Sequence, residues 1–395
     1  MTDYPRASST PDLRPASRPH VRRLALVLSG GGARGAYQVG VLKALAELLP
    51  ADAPIPFSII SGTSAGAIIA ALVATHAPHF RSGVDSIERF WRNFQVEEVF
   101  RADTSSMLRS GLHLLLALVS GGYLARPPRS LFDNSPLRDT LERHVNFARI
   151  EQALNAGYLD ALAINASAYQ SALSVAFYEC RRGTAPWQHA WRRGQPAELG
   201  LDHLMASAAV PFLFPAVYME GEYFGDGAMR QVSPLSPAIQ LGADRLLIIG
   251  VRPPGGADLM PSSHRAAAPS FGQMLGFMLD TLFMDGMQSD LERLQQENRL
   301  LAATGSGSAE DARYIEALAI TPREDFGCIA ERHISDAPRS LRVLLRTMGA
   351  SNVGGRTLLS YLLFEGSYTR ELMAIGYADA MLRRDELQAL VRSES

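Results

Sequence analysis

The chain has 395 residues, of which 47% are hydrophobic and 20% charged, and its formal net charge is −2. This balance is typical of an ordered globular protein and excludes an intrinsically disordered one, while the charge gives no electrostatic basis for nucleic acid as the main partner. The cysteines, Cys180 and Cys328, lie far apart without a CxxC pattern, which excludes a disulfide scaffold and suits a reducing compartment.

The sequence predicts neither a signal peptide nor a membrane-spanning segment. Residues 1–20 are rich in Pro, Ser, Arg and Thr and contain no apolar core of a signal peptide, so we predict a disordered tail there. The apolar run Leu112–Val119 is far too short to cross a bilayer. We therefore expect a cytoplasmic protein that can act peripherally at the inner membrane face.

Two strand–turn–helix units open the chain. The apolar run Leu24–Leu28 ends in glycines and is followed by a helical pattern after Gly35. A second run, Phe57–Ser61, leads through Gly62 into the alanine-rich segment Ala67–Thr75. A strand, a tight turn and a helix, twice over, predict an α/β fold with a mostly parallel sheet. Further strands are predicted at Leu159–Asn165, Leu173–Tyr178 and Arg245–Val251.

A change of composition divides the chain. Pro253–Pro269 is rich in Pro, Gly, Ser and Ala, and the pattern beyond it becomes helical. We predict a tail over 1–20, a catalytic domain over 21–253, a linker over 254–269 and a helical C-terminal extension over 270–395. The extension is expected to pack on the core without chemistry of its own.

The pattern Gly62-x-Ser64-x-Gly66 carries the strongest chemical signal. A sharp strand-to-helix turn crowds the residues around its serine, and glycines on both sides remove side chains that would clash. The hydroxyl also lies at a helix N-terminus, where the dipole favours developing negative charge. These features favour a nucleophilic serine, and the alternative is an ordinary serine N-cap on a strand-to-helix turn.

The first glycine turn matches two motifs. Gly30-x-Gly32-x-x-Gly35 has the spacing of a dinucleotide-binding fingerprint, which also needs an acidic residue at the end of the second strand. Asp52 instead precedes that strand, so consecutive glycines ahead of a serine turn better suit an oxyanion hole built from backbone N–H groups. The candidate oxyanion residues are Gly30, Gly31, Gly32, Ala33, Arg34 and Gly35.

A serine nucleophile needs a base. Of the nine histidines, His264 and His333 come after Asp226 in the chain, as the order Ser, Asp, His of a histidine-dependent α/β-hydrolase requires. Neither of them comes directly after an obvious strand. Asp226 comes directly after an apolar hairpin and precedes Gly227 and Ala228, so its carboxylate can lie at a strand end. An aspartate within hydrogen-bond reach can act as the base directly, although Asp-Gly standing alone is more often a turn.

Several motifs together resemble the patatin-like phospholipase family, in particular its bacterial serine acyl hydrolases. They occur in the family's order between about Leu24 and Val251. These motifs are SGGGARG at Ser29–Gly35, GTSAG at Gly62–Gly66, SLFDNSPL at Ser130–Leu137, ASAAVPFLFP at Ala206–Pro215 and DGA at Asp226–Ala228.

The resemblance implies a three-layer α/β/α sandwich and a Ser–Asp dyad that works without histidine or metal. Ser64 would be the nucleophile, Asp226 the base, and Arg34 a support for the oxyanion loop. Members hydrolyse acyl esters of phospholipids or neutral lipids, so we expect a lipid ester substrate at a membrane surface and no cofactor. A non-catalytic lipid-binding protein on the same fold remains the alternative from a different functional class.

Two apolar stretches are candidates for lipid contact. One is Leu112–Val119 together with Tyr123 and Leu124, and the other is Phe271–Met287, which is rich in Met and Phe. An amphipathic helix of this kind can serve as a lid or an interfacial anchor. Such a stripe more often packs into the core, which is the interpretation we prefer for both stretches.

Overall fold

The fold is described from a computed structural model. The residues that it describes are 22–101, 130–181, 183–253, 268, 270–304, 313–349 and 355–392. The predicted tail 1–20, the run Leu112–Val119 and nearly all of the predicted linker 254–269 lie outside the described residues.

A single mixed sheet forms the centre of the described structure. Its strands are β1 Leu24–Leu28, β2 Ile59–Thr63, β3 Ala161–Ala168, β4 Ser174–Cys180, β5 Trp187–His189, β6 Arg192–Pro196, β7 Val217–Met219, β8 Glu222–Asp226, β9 Arg245–Ile249 and β10 Glu316–Ile320. The strand order is β10-β9-β1-β2-β3-β4-β6-β5, with β8 pairing with both β3 and β7. The run from β10 to β3 is parallel, which confirms the predicted α/β fold with a mostly parallel sheet.

Helices cover the sheet. They are α1 Ala36–Leu48, α2 Ala65–Thr75, α3 Phe80–Asn93, α4 Val96–Val99, α5 Ser135–His144, α6 Phe147–Ala156, α7 Leu201–Ser207, α8 Ser236–Gln240, α9 Phe271–Thr304, α10 Phe326–Arg332, α11 Arg339–Thr347, α12 Arg356–Leu362, α13 Gly366–Leu382 and α14 Arg384–Arg392. Short 3₁₀ turns occur at Gly32–Gly35, Gly227–Met229 and Ile334–Asp336. Of the helices described, none is long and apolar enough to cross a bilayer.

The alternation of side chains along β1 explains the three layers. Leu24, Leu26 and Leu28 point into a large core that contains α1, α2 and α3, whereas Ala25 and Val27 point into a smaller core with α8 and part of α9. All five residues of β1 are buried, as expected for a strand that is covered on both faces. The sheet is therefore the middle layer of an α/β/α arrangement.

The C-terminal extension is not wholly helical, which corrects the sequence prediction. Residues Glu316–Ile320 form β10, which lies parallel to β9 and extends the central sheet. Only Leu318 and Ile320 in this strand are buried, and the strand is five residues long. An alternation so short does not distinguish a strand from a loop in sequence, so pairing with β9 decides its conformation.

Candidate active site

Ser64 lies in a strained turn between β2 and α2. Its backbone has φ 54° and ψ −125°, a positive φ that is unusual for any residue with a side chain. A Cβ at Gly62 would lie 2.4 Å from the carbonyl oxygen of Gly66, and a Cβ at Gly66 would lie 2.5 Å from that of Leu28. The turn can therefore form only with glycine at both positions, which is the steric requirement of a nucleophile elbow.

A chain of hydrogen bonds supports this turn from behind. The backbone N–H of Ser64 donates to Ser207 Oγ at 2.9 Å, and the Ser207 hydroxyl donates to the carbonyl of Asn165 at 2.6 Å. The Asn165 side-chain amide in turn donates to the carbonyl of Gly62 at 3.0 Å. Our sequence analysis missed Ser207 and Asn165, although Ser207 belongs to a segment that carries the family resemblance.

Asp226 is the last residue of β8 and is buried, with 1% of its surface exposed. Its Oδ1 accepts a hydrogen bond from the Ala228 N–H at 2.9 Å, and a Cβ at Gly227 would lie 2.2 Å from the carbonyl oxygen of Asn165. Oδ2 has no partner of full hydrogen-bond geometry among the described residues.

The environment of Asp226 changes its protonation. Burial raises the pKa of the carboxyl to about 7, although the Ser64 hydroxyl and the Ala228 N–H both stabilise the ionised form and lower it. The Ser64 hydroxyl is therefore close enough to affect the carboxylate while falling short of a full hydrogen bond. Catalytic hydrogen bonds are often long without substrate and tighten in the complex. A carboxyl with a pKa near neutrality is well matched to general-base work.

The glycine turn after β1 lies beside Ser64. A Cβ at Gly30 would lie 3.1 Å from Ser64 Cβ, and Gly32, with φ 55°, lines the same cavity as Ser64. The N–H groups of Gly30, Gly31, Gly32 and Ala33 donate to no acceptor within the described part of the chain. Buried N–H groups without partners are costly and uncommon, and here they lie next to a candidate nucleophile. An oxyanion could use them.

Ser64 lines a cavity that is partly open to solvent. Its walls are apolar apart from Ser64 and Tyr361 and combine residues from both halves of the chain. Wall residues from before residue 239 include Ile68, Phe90, Trp91, Phe94, Leu137 and Phe214. Those from the C-terminal extension are Leu279, Phe283, Tyr361, Leu362 and Phe364. The apolar lining suits an apolar chain attached to a reacting group at Ser64.

Among the residues that the structure describes, no histidine is placed to serve as the base for Ser64. His264 lies outside the described residues, and none of the described histidines lines the cavity at Ser64. The ring nitrogens of His333 instead face Glu371 at 2.6 Å and Asp336 at 3.4 Å.

The packing around the Gly30–Gly35 loop argues against its interpretation as a dinucleotide-binding turn. The Phe283 ring would lie 2.6 Å from a Cβ at Gly30, and the Tyr361 carbonyl oxygen 2.4 Å from one at Gly32. Residues of the C-terminal extension therefore lie directly against Gly30 and Gly32, the first two glycines of the fingerprint, whose backbone a bound pyrophosphate would have to approach closely.

The family model described as patatin-like phospholipase matches residues 26–239, more than half of the chain. The chain belongs to the patatin-like phospholipase family. The matched range contains the Ser64 turn, the glycine loop and Asp226, whereas α9 to α14 and β10 lie beyond it.

Individual relatives match shorter segments. Lysophospholipase nte1 of Aspergillus terreus is 38% identical over 136 residues, which cover 33% of this patatin-like chain and 8% of that relative. Patatin-like phospholipase domain-containing protein 7 of Rattus norvegicus is 59% identical over 51 residues, or 13% of this chain and 3% of the relative. The chain thus spans a small part of the length of these curated relatives.

Among solved structures, VipD from Legionella pneumophila aligns with 93% of this chain and 67% of its own, at 14% identity and a TM-score of 0.39.

Proposed function

We propose that this chain is a serine lipolytic acyl hydrolase that cleaves acyl esters of phospholipids or related lipids through a Ser64–Asp226 dyad. The observation that carries the proposal is that a serine in a strained turn lines an apolar cavity and its hydroxyl acts on a buried aspartate, although 162 positions separate the two in sequence. Membership of the family and relatives named lysophospholipase support a lipid ester as substrate.

In the proposed mechanism, Asp226 takes the proton of the Ser64 hydroxyl as the oxygen attacks the ester carbonyl. The N–H groups of residues 30–33 stabilise the oxyanion, and each such donor is typically worth about 3–4 kcal/mol in the transition state. The proton then passes from Asp226 to the departing alcohol. Water, deprotonated by the same carboxylate, attacks the acyl-serine ester and releases the fatty acid. The proton that Asp226 takes from the water returns to Ser64 Oγ as the acyl–oxygen bond breaks, so water is the co-reactant and the dyad ends in its starting state.

A membrane surface is the proposed place of action. Phe271, Met274 and Phe277, on the outer face of α9, are 61%, 51% and 74% exposed, respectively. Leu279 and Phe283 on the inner face of the same helix line the cavity. Exposed apolar side chains on a helix whose other face borders the active site are suited to contact with lipid.

The first test compares hydrolysis by wild type, Ser64→Ala and Asp226→Asn. The substrates are a short-chain nitrophenyl ester and a panel of phospholipids and lysophospholipids. We expect Ser64→Ala to lower kcat/KM by at least about 10³-fold and Asp226→Asn by about 10²- to 10⁴-fold, because one removes the nucleophile and the other the base. Thermal melts establish that the variants are folded.

Matched controls are Ser82→Ala and Asp139→Asn, which alter exposed residues of the same types. Activity that survives in Ser64→Ala would contradict the dyad. A folded wild type that binds lipid vesicles yet hydrolyses nothing would favour a non-catalytic lipid-binding protein.

A further inference from the structure

The candidate oxyanion loop is attached to the C-terminal extension through Arg34. The Arg34 Nε and Nη2 atoms donate to Ser360 Oγ at 2.9 and 2.6 Å, and Nη1 donates to the Tyr361 hydroxyl at 3.0 Å. Nη1 also forms an ion pair with Asp280 Oδ1 at 3.2 Å. The guanidinium of a residue in the matched family region is therefore held by α9 and α12, which lie beyond that region.

Tyr361 is central to this attachment, which we call the Arg34 clamp (Arg34, Asp280, Ser360 and Tyr361). Its hydroxyl donates to Asp280 Oδ1 at 2.8 Å, and its ring lies 3.8 Å beneath the guanidinium carbon of Arg34. Its carbonyl oxygen lies so close to Gly32 that a Cβ there would approach to 2.4 Å. Tyr361 thus contacts both the anchor and the backbone of the loop.

The Arg34 guanidinium stays charged although it is buried. Burial alone would lower the pKa of Arg34, but Tyr361 and Asp280 outweigh it and raise the pKa, so the guanidinium stays charged. A buried cation that loses its anionic partner destabilises its surroundings strongly. Arg34 is therefore held in one place by partners that it cannot exchange for water.

Anchoring matters because the loop has little stiffness of its own. Glycines at positions 30, 31, 32 and 35 allow many backbone conformations, and the Gly32 backbone adopts a positive φ of 55°. Oxyanion donors act only within about 2.7–3.1 Å of the developing charge, and a displacement of about 1 Å can lower a rate about 100-fold. The Arg34 side chain ties this loop to α9 and α12.

We propose that Asp280, Ser360 and Tyr361 are positioning residues that hold the oxyanion loop against Ser64 through Arg34. The C-terminal extension thereby takes part in catalysis although it supplies neither nucleophile nor base. This inference rests on the proposed acyl hydrolase function. It adds a positioning role to the expectation that the extension packs on the core without chemistry of its own.

The test uses the full chain with Tyr361→Phe, which removes the bridging hydroxyl and keeps the ring, and with Ser360→Ala. We expect kcat to fall about 10- to 100-fold while KM changes less than about threefold, since the donors act on the transition state and not on the bound acyl chain. The matched control is Tyr377→Phe, whose hydroxyl donates to Glu47 at the surface. Asp280→Asn is a third variant, in case either of the first two fails to fold.

A second measurement separates positioning from loss of folded protein. Active sites are titrated with a fluorophosphonate, whose phosphoryl oxygen occupies the oxyanion site as Ser64 is labelled. We expect Tyr361→Phe to label to the same final extent as wild type at a rate slowed in parallel with kcat. An unchanged kcat, or a loss explained by a lower final extent alone, would overturn the inference. A wild type that neither hydrolyses esters nor labels would instead contradict the proposed function, and this inference with it.

Discussion

At the scale of single residues, the charge state of Asp226 decides when the dyad can work. The carboxyl must be ionised to accept the Ser64 proton, and burial holds its pKa at about 7. A tenth of the molecules would then carry an ionised Asp226 one pH unit below this value. The apolar surroundings that make the aspartate a stronger base thus also limit the pH range in which it acts.

We predict that kcat/KM for a neutral nitrophenyl ester rises with pH along a single ionisation near pH 7 and is level above it. Below the midpoint the rate should fall about tenfold per pH unit, as expected when one essential group must lose a proton. The profile is measured from pH 5 to 9 with correction for spontaneous hydrolysis. Tyr169 interacts with Asp226, but its own pKa is raised, so it does not ionise in this range. A rate independent of pH between 5 and 8 would rule out Asp226 as the base.

The raised pKa of Asp226 should also make the stability of the folded chain depend on pH. The folded-state pKa of about 7 lies above the ordinary value of 3.8, so between these values the folded chain binds the proton that the unfolded chain has released. The contribution of the Asp226 carboxyl to the free energy of unfolding is therefore greatest at low pH and is lost as pH rises through about 7. Asp226→Asn has no such ionisation, so its Tm relative to wild type should increase from pH 4 to pH 8. A difference in Tm that does not depend on pH would contradict the raised pKa.

At the scale of elements, α9 combines two environments on one helix. Leu275, Leu279 and Phe283 are buried at spacings of four residues, while Phe271 and Phe277 are exposed. The sequence pattern Phe271–Met287 favoured the core over an interfacial role, and the structure buries some of its side chains and exposes others. The Phe283 ring lies against Gly30 of the candidate oxyanion loop, and its centroid is 5.3 Å from that of the Tyr361 ring.

We predict that Phe283→Ala widens the cavity next to the reacting carbonyl and so favours acyl groups that are branched near the ester. The ratio of kcat/KM for a branched ester to that for its straight-chain isomer should rise about 10-fold or more, the usual scale for a methylene-sized change in an apolar pocket. A ratio is chosen because it cancels any loss of folded protein.

Phe277→Ala is the control, since it removes the same side chain from the exposed face of the same helix. It should leave the ratio unchanged and weaken binding to lipid vesicles. Equal ratios in Phe283→Ala and wild type would show that the ring does not bound the acyl group.

The sequence predicts those elements whose geometry is set locally. The turns at Ser64 and Gly30 are recognisable because only glycine tolerates their backbone crowding, and β1 and β2 are recognisable as continuous apolar runs. Ser207 behind the elbow and β10 at the sheet edge could not be predicted. Their roles depend on contacts with residues more than 60 positions away, which no local spacing records.

At the scale of the whole molecule, the C-terminal extension is built into the catalytic core. α13 packs on α1 so closely that a Cβ at Gly40 would lie 2.0 Å from the carbonyl oxygen of Met373, and one at Gly376 would lie 2.1 Å from that of Tyr37. The Tyr37 hydroxyl also donates to Asp379 at 3.1 Å. Together with β10 beside β9, these contacts join the two halves along the length of the sheet.

We predict that a chain ending at residue 253 does not fold cooperatively. Its truncation exposes β9 as a bare sheet edge, uncovers the α1 face under α13 and leaves the Arg34 guanidinium without its partners. An unpaired apolar strand at an edge favours association between copies, and an unpartnered buried cation opposes the native loop. Circular dichroism should show no sharp thermal transition for residues 1–253, and gel filtration should show aggregates.

Supplying residues 254–395 as a separate chain in the same cell provides the decisive comparison. If the extension completes the fold, the two fragments should co-purify and recover esterase activity that the first lacks alone. Recovery should fail when the second fragment carries Tyr361→Phe together with Ser360→Ala, because the fragments can then associate through α13 and β10 without fixing the oxyanion loop. A fragment 1–253 that melts sharply and hydrolyses esters at the wild-type rate would show instead that the extension is an independent addition.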